Sequence, residues 1–129
     1  MRQILFVVIS SLLFGGSQVL AQKAYDTIHY LGRVEGYRAQ LELADGYLLA
    51  SRITFNTKRG IRVFKAMAHE ADKQGKLRFV ETKPRQGGGE KTALWVELRN
   101  LDADRYSPKI SAVYWNGTKL IPLVFSAYN

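Results

Sequence analysis

The sequence predicts an all-β protein, built as an antiparallel up-and-down meander of about eight strands that closes, or nearly closes, into a barrel. Three observations carry this prediction. Short segments alternate apolar and polar residues, as half-buried strands do. The dipeptides Asp-Gly and Asn-Gly, which suit tight hairpin turns, interrupt them. The segments recur at roughly 12–14 residues, the spacing of strands joined by short turns.

The clearest strand pair surrounds Asp45-Gly46. Apolar side chains occupy every odd position over residues 37–43, and polar side chains occupy the even positions. Asp-Gly tolerates the positive φ that a two-residue turn demands. We therefore expect a hairpin of strands 37–44 and 47–55.

A second hairpin is expected around Asn116-Gly117, between strands 110–115 and 118–128. Pro122 falls inside the returning strand and has no backbone donor. It therefore needs an edge position, a bulge or the unpaired side of the ladder.

Weaker alternation predicts three further strands, at 27–34, 76–83 and 92–98. The segment between Ile61 and Gly75 is ambiguous. It begins as a strand, yet residues 65–74 are rich in helix formers. One interpretation is a strand through about Met67 followed by a short helical turn. The other is a short helix that Gly75 caps at its C-terminus.

Residues 1–21 have the three-part layout of a secretory signal peptide. Arg2 gives a positive start, an apolar run extends from Ile4 to Phe14, and Val19-Leu20-Ala21 resembles a cleavage site. That run is shorter than the roughly 20 residues needed to span a bilayer. We expect export to the periplasm or the medium and cleavage after Ala21. Residues 22–129 then form one β-rich domain without a transmembrane span.

Composition narrows the function classes. The chain has no cysteine, which excludes disulfides, zinc-thiolate sites and cysteine nucleophiles. Its formal charge of +8 is spread along the sequence without a run of five like charges. This favours a solvated basic surface, and export argues against a nucleic-acid partner. The expected partner is a small ligand of unknown identity or a component of the cell envelope.

The sequence contains no pattern that carries catalysis or metal binding. His29 and His69 lie in no metal-ligand motif, and no nucleophile elbow is present. Gly87-Gly88-Gly89 lacks the Lys and Ser or Thr of a phosphate-binding loop, so it is interpreted as a hairpin tip. We predict no catalytic residue, no metal and no cofactor, and an enzyme is the least favoured function class.

Glu81 is the main candidate for a binding residue. It shares a strand face with Leu77 and Phe79, which is the expected core face. A carboxylate inside a small barrel needs a positive partner or a ligand. The hypothesis is a site inside or at one mouth of the barrel. Glu81 and an inward basic residue such as Lys65 would anchor the ligand, and Trp95 or Trp115 would form the wall. The alternatives are a structural ion pair and a solvated position at the rim.

Several of these segments together carry a resemblance. They are Tyr30-x-Gly32-x-Val34, Ala39-x-Leu41-x-Leu43, Asp45-Gly46-Tyr47, Leu77-x-Phe79-x-Glu81 and a late aromatic strand turning at Asn116-Gly117. The order resembles small uncharacterised exported bacterial β-meander proteins, and it is similar in architecture to lipocalin-like and avidin-like barrels. The first strand lacks the lipocalin Gly-x-Trp motif. The resemblance implies a barrel and suggests ligand binding.

Two function classes follow. The first is a small exported barrel that binds a ligand in or at its mouth. The second is a structural or partner-binding protein of the cell envelope without a ligand cavity. The barrel interior distinguishes them, because eight well-tilted strands can hold a small ligand whereas fewer strands fill the interior with side chains.

The predicted export can be tested directly. Sequencing the N-terminus of the protein recovered from the exported fraction of its native host should give Gln22 as the first residue, because the small side chains of Val19 and Ala21 fit signal-peptidase cleavage. Intact Met1 in a cytoplasmic fraction would contradict the prediction.

Overall fold

The computed structural model describes residues 25–82, 93–102 and 105–128. Its eight strands are β1 (Asp26–Val34), β2 (Tyr37–Asp45), β3 (Arg52–Thr57), β4 (Gly60–Ala66), β5 (Leu77–Glu81), β6 (Trp95–Arg99), β7 (Lys109–Trp115) and β8 (Leu120–Ala127). Each strand pairs antiparallel with the next, and β8 pairs with β1 to close a barrel. The predicted meander and its closure are confirmed. Two predictions, the signal peptide at 1–21 and the hairpin tip at 87–89, lie outside the described residues.

Alternate residues of every strand fill the barrel interior. Leu41 and Leu43 are fully buried, as the alternation over residues 37–43 predicts, whereas Arg38 on the same strand is exposed. The largest fully buried apolar side chains come from seven of the strands and are Tyr30, Phe55, Phe64, Phe79, Phe125, Leu41, Leu43, Ile53, Leu77, Leu98 and Val96. Burial of this apolar area is the main stabilising term, because the protein has no disulfide.

A two-residue turn joins β1 to β2, and it was not among the turns predicted from the sequence. Val34 pairs with Tyr37, so Glu35 and Gly36 alone form the loop. Their φ angles are 52° and 82°, the positive values that a type I′ hairpin turn requires at both positions. A second two-residue loop, Lys58-Arg59, joins β3 to β4.

The predicted two-residue turn at Asp45-Gly46 is wrong in detail. Within that dipeptide only Gly46 has a positive φ, and the chain enters a 3₁₀ turn at Leu48–Ala50 before β3 begins. The reason is that β2 stays paired with β1 as far as Asp45, whereas its pairing with β3 starts only at Glu42 and Arg52. The longer loop carries Leu48 into the core.

The Asn116-Gly117 hairpin exists, but its loop has four residues rather than two. Trp115 pairs with Leu120, and the Asn116 side-chain oxygen accepts the N–H groups of Thr118 and Lys119 at 2.8 and 2.9 Å. Asn116 therefore acts through its side chain and does not adopt the positive φ expected of it.

Residues 67–76 correct the expectation of a short helix or helical turn near 65–74. Strand β4 ends at Ala66, and the residues that follow form bends and turns without a helix. The Asp72 carboxylate accepts the N–H groups of Gln74 and Lys76, both at 2.9 Å. Gly75 does have a left-handed φ of 77°, but it serves this turn and caps no helix. Among the described residues, no helix is long and apolar enough to cross a membrane.

The meander gives the barrel two different ends. One end, called here the hairpin end, carries the β1–β2, β3–β4, β5–β6 and β7–β8 connections. The other, called the loop end, carries the β2–β3, β4–β5 and β6–β7 connections. The inward side chain nearest the hairpin end on β5 is that of Glu81, the last residue of the strand.

Closure of the barrel depends on Gly32. The β1–β8 register contains only Tyr30 with Ala127 and Leu31 with Ser126. One residue further along β1, a Cβ atom on Gly32 would lie 2.7 Å from the Val124 carbonyl oxygen. A methyl group cannot occupy that space unless one of the two strands moves.

Replacing Gly32 with Ala should therefore lower the free energy of unfolding by about 1–3 kcal/mol, because the clash is with backbone and not with a flexible side chain. Urea unfolding measures this change. Ser126→Ala, at an exposed position on β8, is the control and should stay within about 0.5 kcal/mol of the parent. A Gly32→Ala variant as stable as its parent would show that the strands do not meet this closely.

Candidate binding site at the hairpin end

The hairpin end holds an inward-facing ion pair between β4 and β5. Glu81 lies directly opposite Phe64 in the register, and both follow the inward side of their strands. The Arg62 guanidinium, two residues before Phe64 and on the same side of β4, donates from Nη1 to Oε2 of Glu81 at 3.2 Å. A core strand pair thus ends in one positive and one negative side chain.

Burial makes this pair different from the ion pairs on the outer surface. The Glu81 side chain is 7% exposed and that of Arg62 is 21% exposed. A carboxylate removed from water to this degree is tolerated because a cation and its hydrogen bond compensate the lost hydration. Of the alternatives left open for Glu81, the structure shows an ion pair with an inward basic side chain, and that side chain belongs to Arg62.

Arg62 also lines an open cleft of about 330 Å³ at the mouth of the barrel. Polar residues from three connections and strand ends surround it: Glu35, Thr57, Lys58, Arg59, Arg62 and Asn116. Three of these side chains are cationic and one is anionic. Glu81 is not among the residues that line the cleft, so it supports Arg62 from behind. The cleft presents a positive potential to a small molecule.

The other part of the wall is aromatic and aliphatic. Tyr37, Phe55, Leu94 and Tyr114 line the same cleft. The rings of Phe55 and Tyr114 meet edge to face with centroids 4.9 Å apart, and Phe55 also contacts Phe64 at 4.8 Å. Packing against the core holds these rings in place, so the cleft has a rigid apolar wall beside a charged group. That combination is common in small-molecule sites.

The four residues proposed from sequence are not brought together. Glu81 points into the barrel, but Lys65 is exposed on the outer side of β4, between the buried residues Phe64 and Ala66. Trp95 and Trp115 face each other across β6 and β7. Each neighbours an inward residue, so both tryptophans lie on the outer side of the barrel and not among the residues that line the cleft.

A signal for Arg62 was present in the sequence. If Phe64 is a core residue, the two-residue period of a strand places Arg62 inward and Lys65 outward. Lys65 was instead the predicted example of an inward basic residue, since the sequence offers no register between β4 and β5. No local pattern supplies that register, because residues 67–76 separate the two strands along the chain.

The loop end holds a second open cleft of about 690 Å³, with a different chemistry. Four carboxylates line it, those of Asp45, Glu70, Asp72 and Asp102, together with His69, Lys73 and Tyr106. The Asp72 carboxylate is already used by its own turn. Within the described part of the chain, no three His, Asp or Glu side chains are grouped to hold a metal ion.

Two tyrosines connect this loop end to the core. The Tyr30 hydroxyl donates to the Ser107 carbonyl oxygen at 3.0 Å. Burial, and then the neighbouring Tyr106, raise the pKa of Tyr30 above its usual value. Burial and the Asp45 carboxylate likewise raise the pKa of Tyr106. Both phenols therefore stay neutral to a higher pH than an ordinary tyrosine does.

The raised pKa of Tyr30 predicts a loss of stability in alkali. Because the folded protein holds the Tyr30 proton more tightly than the unfolded chain, the raised pKa adds to the free energy of unfolding. This contribution is complete below the unfolded-state pKa of about 10 and is lost as the pH rises through the higher folded-state pKa. Tyr30→Phe should lose about 1 kcal/mol at pH 7 with its hydrogen bond and should show a shallower decline above about pH 10. Urea unfolding at a series of pH values measures both effects. Tyr128→Phe, at an exposed position, is the control and should keep the full decline. Parallel curves for parent and Tyr30→Phe would contradict the assignment.

The chain was compared with protein-family models, with curated proteins and with solved structures, and none of the three comparisons gives a match.

Proposed function

We propose that this protein is a small exported barrel that binds a small anionic ligand with a planar or apolar part in the hairpin-end cleft. The observation that carries the proposal is the position of Arg62. Its guanidinium lies at the wall of an open cleft, is held from behind by a buried carboxylate, and stands beside fixed aromatic rings.

The Arg62 guanidinium has capacity for a ligand. A guanidinium carries five N–H groups in a fixed fork that matches carboxylate and phosphate oxygens. The bond to Glu81 uses Nη1. Arg62 also lines the cleft, and within the described part of the chain its other N–H groups have no acceptor, so they can bind an anion there. Glu81 fixes the orientation of the group, so little side-chain entropy is lost when the ligand binds.

The surroundings favour a negative ligand of modest size. Lys58 and Arg59 at the tip of the β3–β4 hairpin add positive charge at the opening. Among the described residues, Glu35 is the one carboxylate lining the cleft, and it lies 3.5 Å from the Asn116 side-chain nitrogen, which donates to it. The volume of about 330 Å³ is at the lower end of the usual range for ligand pockets.

A second function class, an envelope protein that binds a partner without a ligand cavity, is favoured by the packed interior. Aromatic side chains from facing strands meet in the core at centroid distances of 4.8 to 6.1 Å. A ligand must therefore bind at the mouth and not inside the barrel. If the hairpin-end cleft binds no anion, this second class remains.

Three probe molecules that share one aromatic ring but differ in charge test the proposal. Titrations of the isotope-labelled protein with benzoate, benzamide and benzamidine, followed by NMR, compare an anionic, a neutral and a cationic probe of nearly equal shape. Benzoate should bind best and should shift the Arg62 side-chain signal together with residues around the cleft. In Arg62→Gln its affinity should fall about tenfold, which corresponds to about 1.4 kcal/mol.

Arg52→Gln is the matched control, because Arg52 also pairs with a glutamate, Glu42, at 3.2 Å but on the outer surface. Benzoate affinity should not change in this variant. Arg62→Gln leaves the Glu81 carboxylate buried without its cation, so the double variant Arg62→Gln with Glu81→Gln provides a neutral pair that preserves the fold. Equal benzoate binding in the parent, Arg62→Gln and the double variant would overturn the proposal.

A further inference from the structure

The outer sides of β6, β7 and β8 form a surface that does not follow the usual polar pattern. The register aligns three rows of outward residues across these strands. From the hairpin end they are Trp95–Trp115–Leu120, then Glu97–Val113–Pro122, then Arg99–Ser111–Val124. Six of the nine residues are apolar, and we call them the outer apolar face: Trp95, Val113, Trp115, Leu120, Pro122 and Val124.

Water reaches this face. The side chains of Leu120 and Val124 are 54% and 51% exposed, and Pro122 between them is also exposed. Val80 on β5 pairs with Trp95 and extends the first row by one strand. The members of the face on β6 and β7 are half-buried, so the six residues form one contiguous and partly exposed patch. A contiguous apolar patch of this kind marks an interaction surface, whereas scattered single apolar residues do not.

Cations surround the outer apolar face. The Arg78 guanidinium stacks 3.9 Å from the centre of the Trp95 ring. Lys65 follows Val80 in the first row and forms no ion pair with an acid of the described residues. Lys109 and Lys119 are exposed at the two ends of the β7–β8 pair. These lysines keep positive charge beside apolar side chains on the same side of the barrel.

The single acid in the three rows is already neutralised. Glu97 accepts a hydrogen bond from Arg78 at 3.0 Å and lies 3.7 Å from Arg99. The face therefore offers apolar contact and a net positive charge, without an available carboxylate in its rows.

The outer surface on the opposite side of the barrel is polar, as expected if only the outer apolar face makes a contact. Apart from the buried Ala44, the outward residues of β2 and β3 are polar: Arg38, Gln40, Glu42, Arg52, Thr54 and Asn56. Glu42 and Arg52 pair with each other there. The barrel is thus amphipathic around its circumference, with water on one side and an apolar, basic face on the other.

We infer that the outer apolar face docks on an anionic lipid surface. Charge complementarity selects this occupant, since a second copy would bring the same cations of both molecules together around one contact. Tryptophan beside arginine and lysine suits the interface between lipid headgroups and acyl chains, where an amphipathic ring is stabilised and cations meet lipid phosphates. This inference does not depend on a ligand in the hairpin-end cleft.

The two tryptophans make the inference directly testable, because the chain has no others and both lie on this face. The full chain is mixed with vesicles of phosphatidylcholine containing phosphatidylglycerol, or of phosphatidylcholine alone. With the anionic vesicles, tryptophan emission should shift to shorter wavelength, and lipids brominated on their acyl chains should quench it. Vesicles of phosphatidylcholine alone should produce a weaker effect, and added salt should weaken the anionic case.

Two sets of variants separate apolar contact from charge. Leu120→Ser with Val124→Ser changes exposed positions and should reduce quenching severalfold, whereas Ile61→Ser, exposed on β4 outside the three rows, should not. Lys65→Gln with Lys119→Gln should raise the lipid concentration needed for half-maximal binding about tenfold or more. Arg33→Gln with Arg38→Gln, exposed on β1 and β2, removes the same charge as a control.

Three results would overturn the inference. Vesicle binding without bromine quenching would mean that another part of the chain, such as the apolar N-terminal segment, contacts the lipid. Equal quenching in the apolar-face double variant and in Ile61→Ser would remove the role of the face. A concentration-dependent dimer in analytical ultracentrifugation that protects both tryptophans and does not bind vesicles would identify a second copy as the occupant.

Discussion

The rest of the structure depends on the contact where β8 meets β1 at Gly32. A meander of antiparallel strands leaves two free edges until its first and last strands meet, and free edges expose unpaired backbone groups. Here the meeting is short, with two residue pairs in register, and the β8 backbone approaches Gly32 more closely than any side chain would permit. The missing side chain at this position is what allows a barrel of this small size to close.

Closure of the barrel then determines where charged side chains can face inward. The interior is filled by side chains from every strand, and the rings of Phe55, Phe64 and Tyr114 pack against one another in it. Charged groups can face inward only where a strand ends and water is near. Glu81 ends its strand, and Arg62 lies near the start of its own, so the ion pair forms at the mouth. The open cleft and the packed core are thus two consequences of the same closure.

The outer surface of the barrel differs in polarity between two of its sides. Strands β2 and β3 turn polar side chains outward, as a barrel in water requires. Strands β6 to β8 turn tryptophan, leucine, proline and valine outward, with Arg78 stacked on Trp95. Both features coexist because alternation sets which residues point inward, while the chemistry of the outward residues is free to vary from strand to strand. The mouth and the outer face are therefore separate surfaces that can act independently.

The sequence by itself determined the strands, their inward residues and the meander, because alternation with period two and short turns act locally. It also indicated that Glu81, if it faced inward, would need a cation or a ligand, since a buried carboxylate is costly without one. Only the tertiary structure decided that this cation is Arg62 and not Lys65, that Trp95 and Trp115 lie outside, and that Gly32 is needed for closure. These facts depend on register between strands and on the meeting of the first strand with the last, and no local pattern along the chain encodes a distance between segments so far apart.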